Sequence, residues 1–202
     1  TTTPDVPGTK FTSLSVSASW EGRNSVAVPS RGFFLRGKME WATKELGSET
    51  RFMNLRGHGG YFLPLPWNFV LATSLQAGLI RPIQDAKEVD IALRYFAGGT
   101  NSIRGFKYDS IGAPEGGELF LSLQTELRFP IWAGFHGALF HDRGGVWGKY
   151  KDLNWNDTRW SIGGGLRYYT AAGPIAADVA WNADRKEGED SVTFHFSIGF
   201  PF

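Results

Sequence analysis

The side chains able to carry acid–base, nucleophilic or metal chemistry are few. The 202 residues hold four histidines, His58, His136, His141 and His195, and no cysteine. No Gly-x-Ser-x-Gly turn presents a serine nucleophile, and no His-Glu-x-x-His run offers a zinc site. His141 stands beside Asp142, but successive residues of a strand point to opposite faces, so the two form no dyad. Gly163, Gly164 and Gly165 fall inside a strand pattern and read as relief of packing, not as a phosphate cradle. The expectation is a protein that is not an enzyme, with no catalytic residue, no metal site and no organic cofactor.

The elements that carry these residues are strands. Apolar and polar residues alternate with period two in segment after segment, and helical periodicity is hard to find. Leu14, Val16, Ala18 and Trp20 alternate with Ser13, Ser15, Ser17 and Ser19; Phe33, Leu35, Met39 and Trp41 with Arg36, Lys38 and Glu40. Leu119, Leu121, Leu123, Leu127 and Phe129 alternate with Ser122, Gln124, Glu126 and Arg128, and Val192, Phe194, Phe196, Ile198, Phe200 and Phe202 with Thr193, His195 and Ser197. Nine such strands are expected, of about 10 to 13 residues each, longer than the usual strand of a soluble sandwich. That length suits a tilted strand crossing a bilayer, with lipid-facing and lumen-facing side chains in alternation. Trp20, Trp41, Trp67, Trp132, Trp147, Trp160 and Trp181 fall near strand ends, where an aromatic girdle would place them.

Composition excludes other classes. With 21 basic and 20 acidic residues the net charge is +1, which leaves no electrostatic footprint for nucleic acid. A mean hydropathy of -0.23, without a run of about 20 apolar residues, excludes a transmembrane helix. Absence of cysteine excludes a disulfide framework. The first ten residues lack the regions of a signal peptide, so residue 1 is expected to be a mature N-terminus or a cut inside a longer protein.

Connections alternate in length, as in outer-membrane barrels with short periplasmic turns and long outer loops. Residues 42–50, 82–117, 149–157 and 183–190 form the long set; residues 64–66, 130–133 and 170–173 form the short set, and residues 22–30 are longer than their class predicts. Nine strands counted back from a periplasmic C-terminus put residue 1 outside. Single-chain bacterial barrels have even strand numbers, so the chain is expected to be the C-terminal part of a larger barrel, unless a further strand hides in residues 89–95.

Residues 96–106 read Phe-Ala-Gly-Gly-Thr-Asn-Ser-Ile-Arg-Gly-Phe, followed by Lys107 and Tyr108. This run resembles the signature loop of the BamA/TamA superfamily of outer-membrane protein assembly and translocation barrels. It sits where that family places its sixth extracellular loop, with five strands following. The resemblance covers nearly the whole chain and implies an all-β, antiparallel transmembrane β-barrel of about 16 strands, of which residues 1–202 would be the C-terminal part. It implies that the loop 82–117 folds back into the lumen, with Gly98, Gly99, Arg104, Gly105 and Phe106 as its motif. Arg104 would then be held by Glu126, Phe140 and Asp142, residues that alternation places on the polar faces of their strands. A buried guanidinium keeps its charge and wants bidentate carboxylate partners.

The C-terminus, from Phe194 to Phe202, resembles the family's last strand and its terminal-aromatic assembly signal, carried by Phe196, Ile198, Gly199, Pro201 and Phe202. A glycine weakens a strand interior and a proline donates no ladder hydrogen bond. Together these two imply a loosely zipped seam through which client strands enter by β-augmentation. The resemblance thus implies an insertase or assembly factor in the outer membrane of a Gram-negative bacterium. Its implied partners are outer-membrane lipids, unfolded outer-membrane or secreted clients, periplasmic domains of the same protein and accessory subunits. A secretion barrel exporting a partner or a fused passenger domain is the alternative, and a passive pore the blandest reading.

Overall fold

The computed structural model describes residues 11–170 and 173–198. It contains nine strands: β1 (Leu14–Glu21), β2 (Gly32–Ala42), β3 (Phe52–Leu65), β4 (Phe69–Pro82), β5 (Leu119–Trp132), β6 (Phe135–Trp147), β7 (Arg159–Thr170), β8 (Gly173–Asn182) and β9 (Val192–Ile198). Each strand pairs antiparallel with the next, in a single sheet whose spatial order is the chain order. Among the described residues β1 and β9 are the two edges. β3, β4 and β5 run to 14 residues, longer than expected, and the described part of β9 to 7.

The two faces of the sheet have the inverse of a soluble protein's polarity. Leu35, Leu75, Leu139, Leu166 and Phe194 point outward and are 52–78% exposed. The inner face buries Asn54, Ser74, Ser122, Gln124, Glu126, Asp142, Ser161 and Asp178. An apolar band of this extent suits hydrocarbon, not water. Period-two alternation fixes the register here, because a slip of one residue would turn every inner polar group outward. Trp20, Trp67, Trp132 and Trp181 lie exposed near strand ends, but Trp147 departs from the girdle reading: it is 6% exposed, and Leu119 of β5 is its cross-strand partner.

From β2 onward short and long connections alternate, with residues 66–68 and 133–134 short and residues 43–51, 83–118, 148–158 and 183–191 long; residues 22–31, on the side of the short set, are long as expected. Residues 89–95 do not form a strand; Ile91–Leu93 make one 3-10 turn in which the Ala92 N–H donates to the Asp90 side chain. The ends of the longest loop are instead stapled to each other by the bridges Tyr95 to Gly117 and Ala97 to Ile111. Past those bridges the loop turns into the concave side of the sheet. There Ala97, Ile103, Phe106 and Ile111 form an apolar cluster against Phe120 of β5 and Val146 of β6.

Candidate functional site

The loop tip is built first from its own backbone. Ser102 Oγ accepts from Gly98 N–H at 2.8 Å and donates to Gly98 O at 3.0 Å, while Gly99 N–H closes the turn on Phe106 O at 3.1 Å. Gly98 has φ +115, and a Cβ on it would collide with the Lys107 carbonyl, so the turn needs glycine at that position. Lumen side chains of β4 and β5 then capture three successive loop carbonyls. Gln124 Nε2 donates to Thr100 O at 3.3 Å, Gln76 Nε2 to Asn101 O at 2.8 Å, and Ser122 Oγ to Ser102 O at 2.7 Å.

This scaffold delivers Arg104 into the sheet's inner wall with no exposed surface. Its Nε and Nη2 donate to Asp142 Oδ2 and Oδ1 at 2.7 and 2.8 Å, and its backbone N–H adds a third bond to Asp142 Oδ2 at 3.0 Å. Nη1 donates to Glu126 Oε2 at 2.8 Å and to Asp178 Oδ2 at 3.4 Å. The guanidinium carbon lies 3.5 Å from the centroid of the Phe140 ring, a cation–π contact in a desolvated setting. The structure thus brings Arg104 together with Glu126, Phe140 and Asp142.

Three further residues complete the cluster, and sequence reasoning did not assign them. Arg128 Nε donates to Glu126 Oε1 at 2.8 Å, Arg167 Nη2 to Glu126 Oε2 at 3.0 Å, and Arg167 also pairs with Asp178. Three guanidiniums therefore face three carboxylates, and all six residues are 0–3% exposed. A buried ion set of this kind is costly to desolvate and strongly destabilised by loss of one member. The signal for the missing members was parity: Arg128, Arg167 and Asp178 all stand on polar faces, and Asp178 lies opposite Gly165.

That register also explains the glycine run. A Cβ at Gly163 would collide with the Phe140 ring, and one at Gly165 with the Asp178 carboxylate. Both glycines make room for the cluster. His141 points away from Asp142, toward the Trp160 ring at 5.9 Å between centroids. Phe106 is buried beneath Arg159, whose guanidinium carbon lies 4.8 Å from its ring. In the connection between β8 and β9, Glu189 accepts from Arg159 at 2.7 and 3.0 Å, which holds its carboxyl at about 2, below the usual carboxylate value.

On β9, Phe196 and Ile198 point outward, each 71% exposed. Gly199, Pro201 and Phe202 lie outside the described residues.

Comparison with known proteins places this geometry in a family. Residues 8–202 match the Omp85 superfamily domain. The outer membrane protein assembly factor BamA of Neisseria meningitidis serogroup B is 25% identical over 90% of the chain and 28% of its own length. The sorting and assembly machinery component 50 homolog of Xenopus tropicalis is 32% identical over 76% of the chain and 37% of its own length. The crystal structure of BamA from Haemophilus ducreyi lacking POTRA domains 1–3 superposes with a TM-score of 0.81 at 22% identity, over 93% of this chain and 42% of that one. The chain spans less than half the length of each of these relatives. It belongs to the Omp85 superfamily, as part of that family's outer-membrane β-barrel.

Proposed function

We propose that this chain is the membrane-embedded part of an outer-membrane protein assembly factor, in which clients enter laterally along β9 while the long loop keeps the lumen occupied. The observation that carries this reading is the burial of Arg104 and its loop in the inner wall, tied by Gln76, Ser122 and Gln124. A lumen filled in this way argues against a passive pore and turns attention to the sheet edge. An unpaired strand edge in lipid leaves backbone groups unsatisfied at several kcal/mol each, so an edge strand of client chain would add there by main-chain pairing. The motif residues Gly98, Gly99, Arg104, Gly105 and Phe106, with Glu126, Phe140 and Asp142, hold the loop and do no bond chemistry. The outer face of β9 with Phe196 and Ile198, continued by Gly199, Pro201 and Phe202, would be the seam and the assembly signal.

The names of the Neisseria and Xenopus relatives, an assembly factor and a sorting and assembly component, support unfolded outer-membrane proteins as clients and accessory subunits as partners. We place the protein in the outer membrane of a Gram-negative bacterium, because the bacterial relative covers 90% of the chain against 76% for the animal one.

These 202 residues lack cysteine, so with any cysteine elsewhere in the full-length protein replaced, a single introduced thiol reports contacts cleanly. In the full-length protein, Ser197→Cys on β9 and Ser17→Cys on the inner face of β1 are each paired with a client carrying one cysteine in its last strand. Lateral assembly gives a disulfide from position 197 and none from position 17. Capture at position 17 alone would replace this reading with transport through the lumen.

A further inference from the structure

The long loop has a second attachment, separate from the arginine cluster, and it lies on the last strand. Gly105 follows Arg104, and both of its backbone polar groups are taken by side chains of β9. Its N–H donates to His195 Nε2 at 3.2 Å, and Thr193 Oγ1 donates to its carbonyl oxygen at 3.1 Å. Thr193 and His195 are two residues apart and so share the inner face. Gly105 has φ +92, and a Cβ there would come within 2.9 Å of Ser161 Cβ on β7. The residue is seated flush against the wall, where nothing larger fits. Nearer the rim, Lys107 Nζ meets Asp190 Oδ2 at 3.1 Å in the connection leading into β9.

We propose that Thr193 and His195 are positioning residues that clasp the loop to the last strand, so that β9 leaves the inner wall only when the backbone of Gly105 is released. The clasp needs a neutral imidazole, protonated on Nδ1, because Nε2 must accept. Protonating the ring removes the acceptor and turns it into a donor facing a donor. The charged groups facing the ring are Asp178, directly across on β8, Asp142 of β6 and Arg104 of the loop; Arg167 of β7 is bonded to Asp178. The consequence for client entry rests on the assembly reading above. The link between loop and strand does not, and it is tested without a client.

The test is amide hydrogen exchange on the full-length protein in lipid vesicles, after correction for intrinsic rates. Thr193→Val removes the donor at constant shape and His195→Leu removes the acceptor. Each is expected to raise exchange in β9 and at Gly105 by about threefold to tenfold, the worth of one buried hydrogen bond, and to leave β5 and β6 unchanged. His195→Gln, whose amide oxygen can accept, restores protection. In the wild type the same rise appears only as pH falls below the ordinary imidazole value of about 6.5, and is absent in His195→Gln. Equal exchange in wild type and both disrupting variants overturns the clasp, and so does a pH-dependent rise that persists in His195→Gln. Should the clasp hold while the thiol capture at position 197 fails, only the lateral-entry reading is lost.

Discussion

Replacing Glu126 by glutamine keeps the side chain's shape and removes one charge from the centre of the cluster. Its carboxylate accepts from three guanidiniums, Arg104 Nη1 at 2.8 Å, Arg167 Nη2 at 3.0 Å and Arg128 Nε at 2.8 Å, with no surface in contact with solvent. In Glu126→Gln one of the two terminal atoms becomes an NH₂ group aimed at N–H donors. Arg104, Arg128 and Arg167 are left facing Asp142 and Asp178 alone. Breaking a buried pair in this way typically costs about 3 to 5 kcal/mol, against about 0 to 1 kcal/mol for an exposed pair. Lys107 and Asp190, with side chains 69% and 54% exposed, supply the exposed comparison through Lys107→Ala. The assay is urea unfolding of the full-length barrel in detergent micelles, followed by the fluorescence of its tryptophans, eight of which lie in this chain. Adding Arg104→Met to Glu126→Gln restores charge balance, so the double variant should be less destabilised than the sum of the singles by about 0.5 to 3 kcal/mol. A loss under about 1 kcal/mol for Glu126→Gln, or strict additivity with Arg104→Met, would mean that water reaches the cluster and that it does not lock the loop.

Other outcomes follow from the same geometry. Gly165→Ala forces a methyl group onto the Asp178 carboxylate and should cost about 1 to 3 kcal/mol by overpacking in the same urea titration. Gly57→Ala, where a Cβ meets nothing within 4 Å, should leave stability unchanged or raise it by about 0.4 to 1 kcal/mol. Glu189 is depressed in the folded state, so its contribution is complete above its ordinary value of 4.5 and is lost as pH falls through about 2. Amide exchange in residues 183–191 should therefore rise across that window in wild type, and in Glu189→Gln should already be high at pH 5. Unchanged exchange in wild type would show that Arg159 does not order this connection.

Much of the fold was legible because alternation with period two is a local signal. It located all nine strands and assigned Glu126, Phe140 and Asp142 to one face, since a strand's two environments are written into neighbouring residues. Strand lengths were less legible: β3 runs on through Pro64 to Leu65, where turn-forming residues would suggest an earlier stop. Trp147 looked like a girdle residue by position and is buried, a difference in surroundings that strand position alone does not encode. The cluster was half legible. Arg104 and its partners on β5 and β6 came with the loop run, whereas Arg167 and Asp178 depend on the register of β7 with β8, which no single strand encodes. Thr193 and His195 were the least visible of all, because their partner is the backbone of Gly105, 88 and 90 residues away, and a backbone group leaves no trace in residue type.

In this account the loop stays in the lumen while clients pass along β9. Gln76 Nε2 donates to the Asn101 carbonyl at 2.8 Å, a contact made by the end of a long side chain, so cysteines at these two positions are joined by a short bis-methanethiosulfonate cross-linker and not by a direct disulfide. The decisive measurement is the rate at which the full-length Gln76→Cys/Asn101→Cys protein, with any other cysteine replaced and reconstituted in vesicles, inserts an unfolded barrel client before and after cross-linking. An unchanged rate with the staple closed is the predicted result. Loss of insertion on cross-linking, recovered by a reductant, would contradict it and would mean that the loop must leave the lumen for the protein to work.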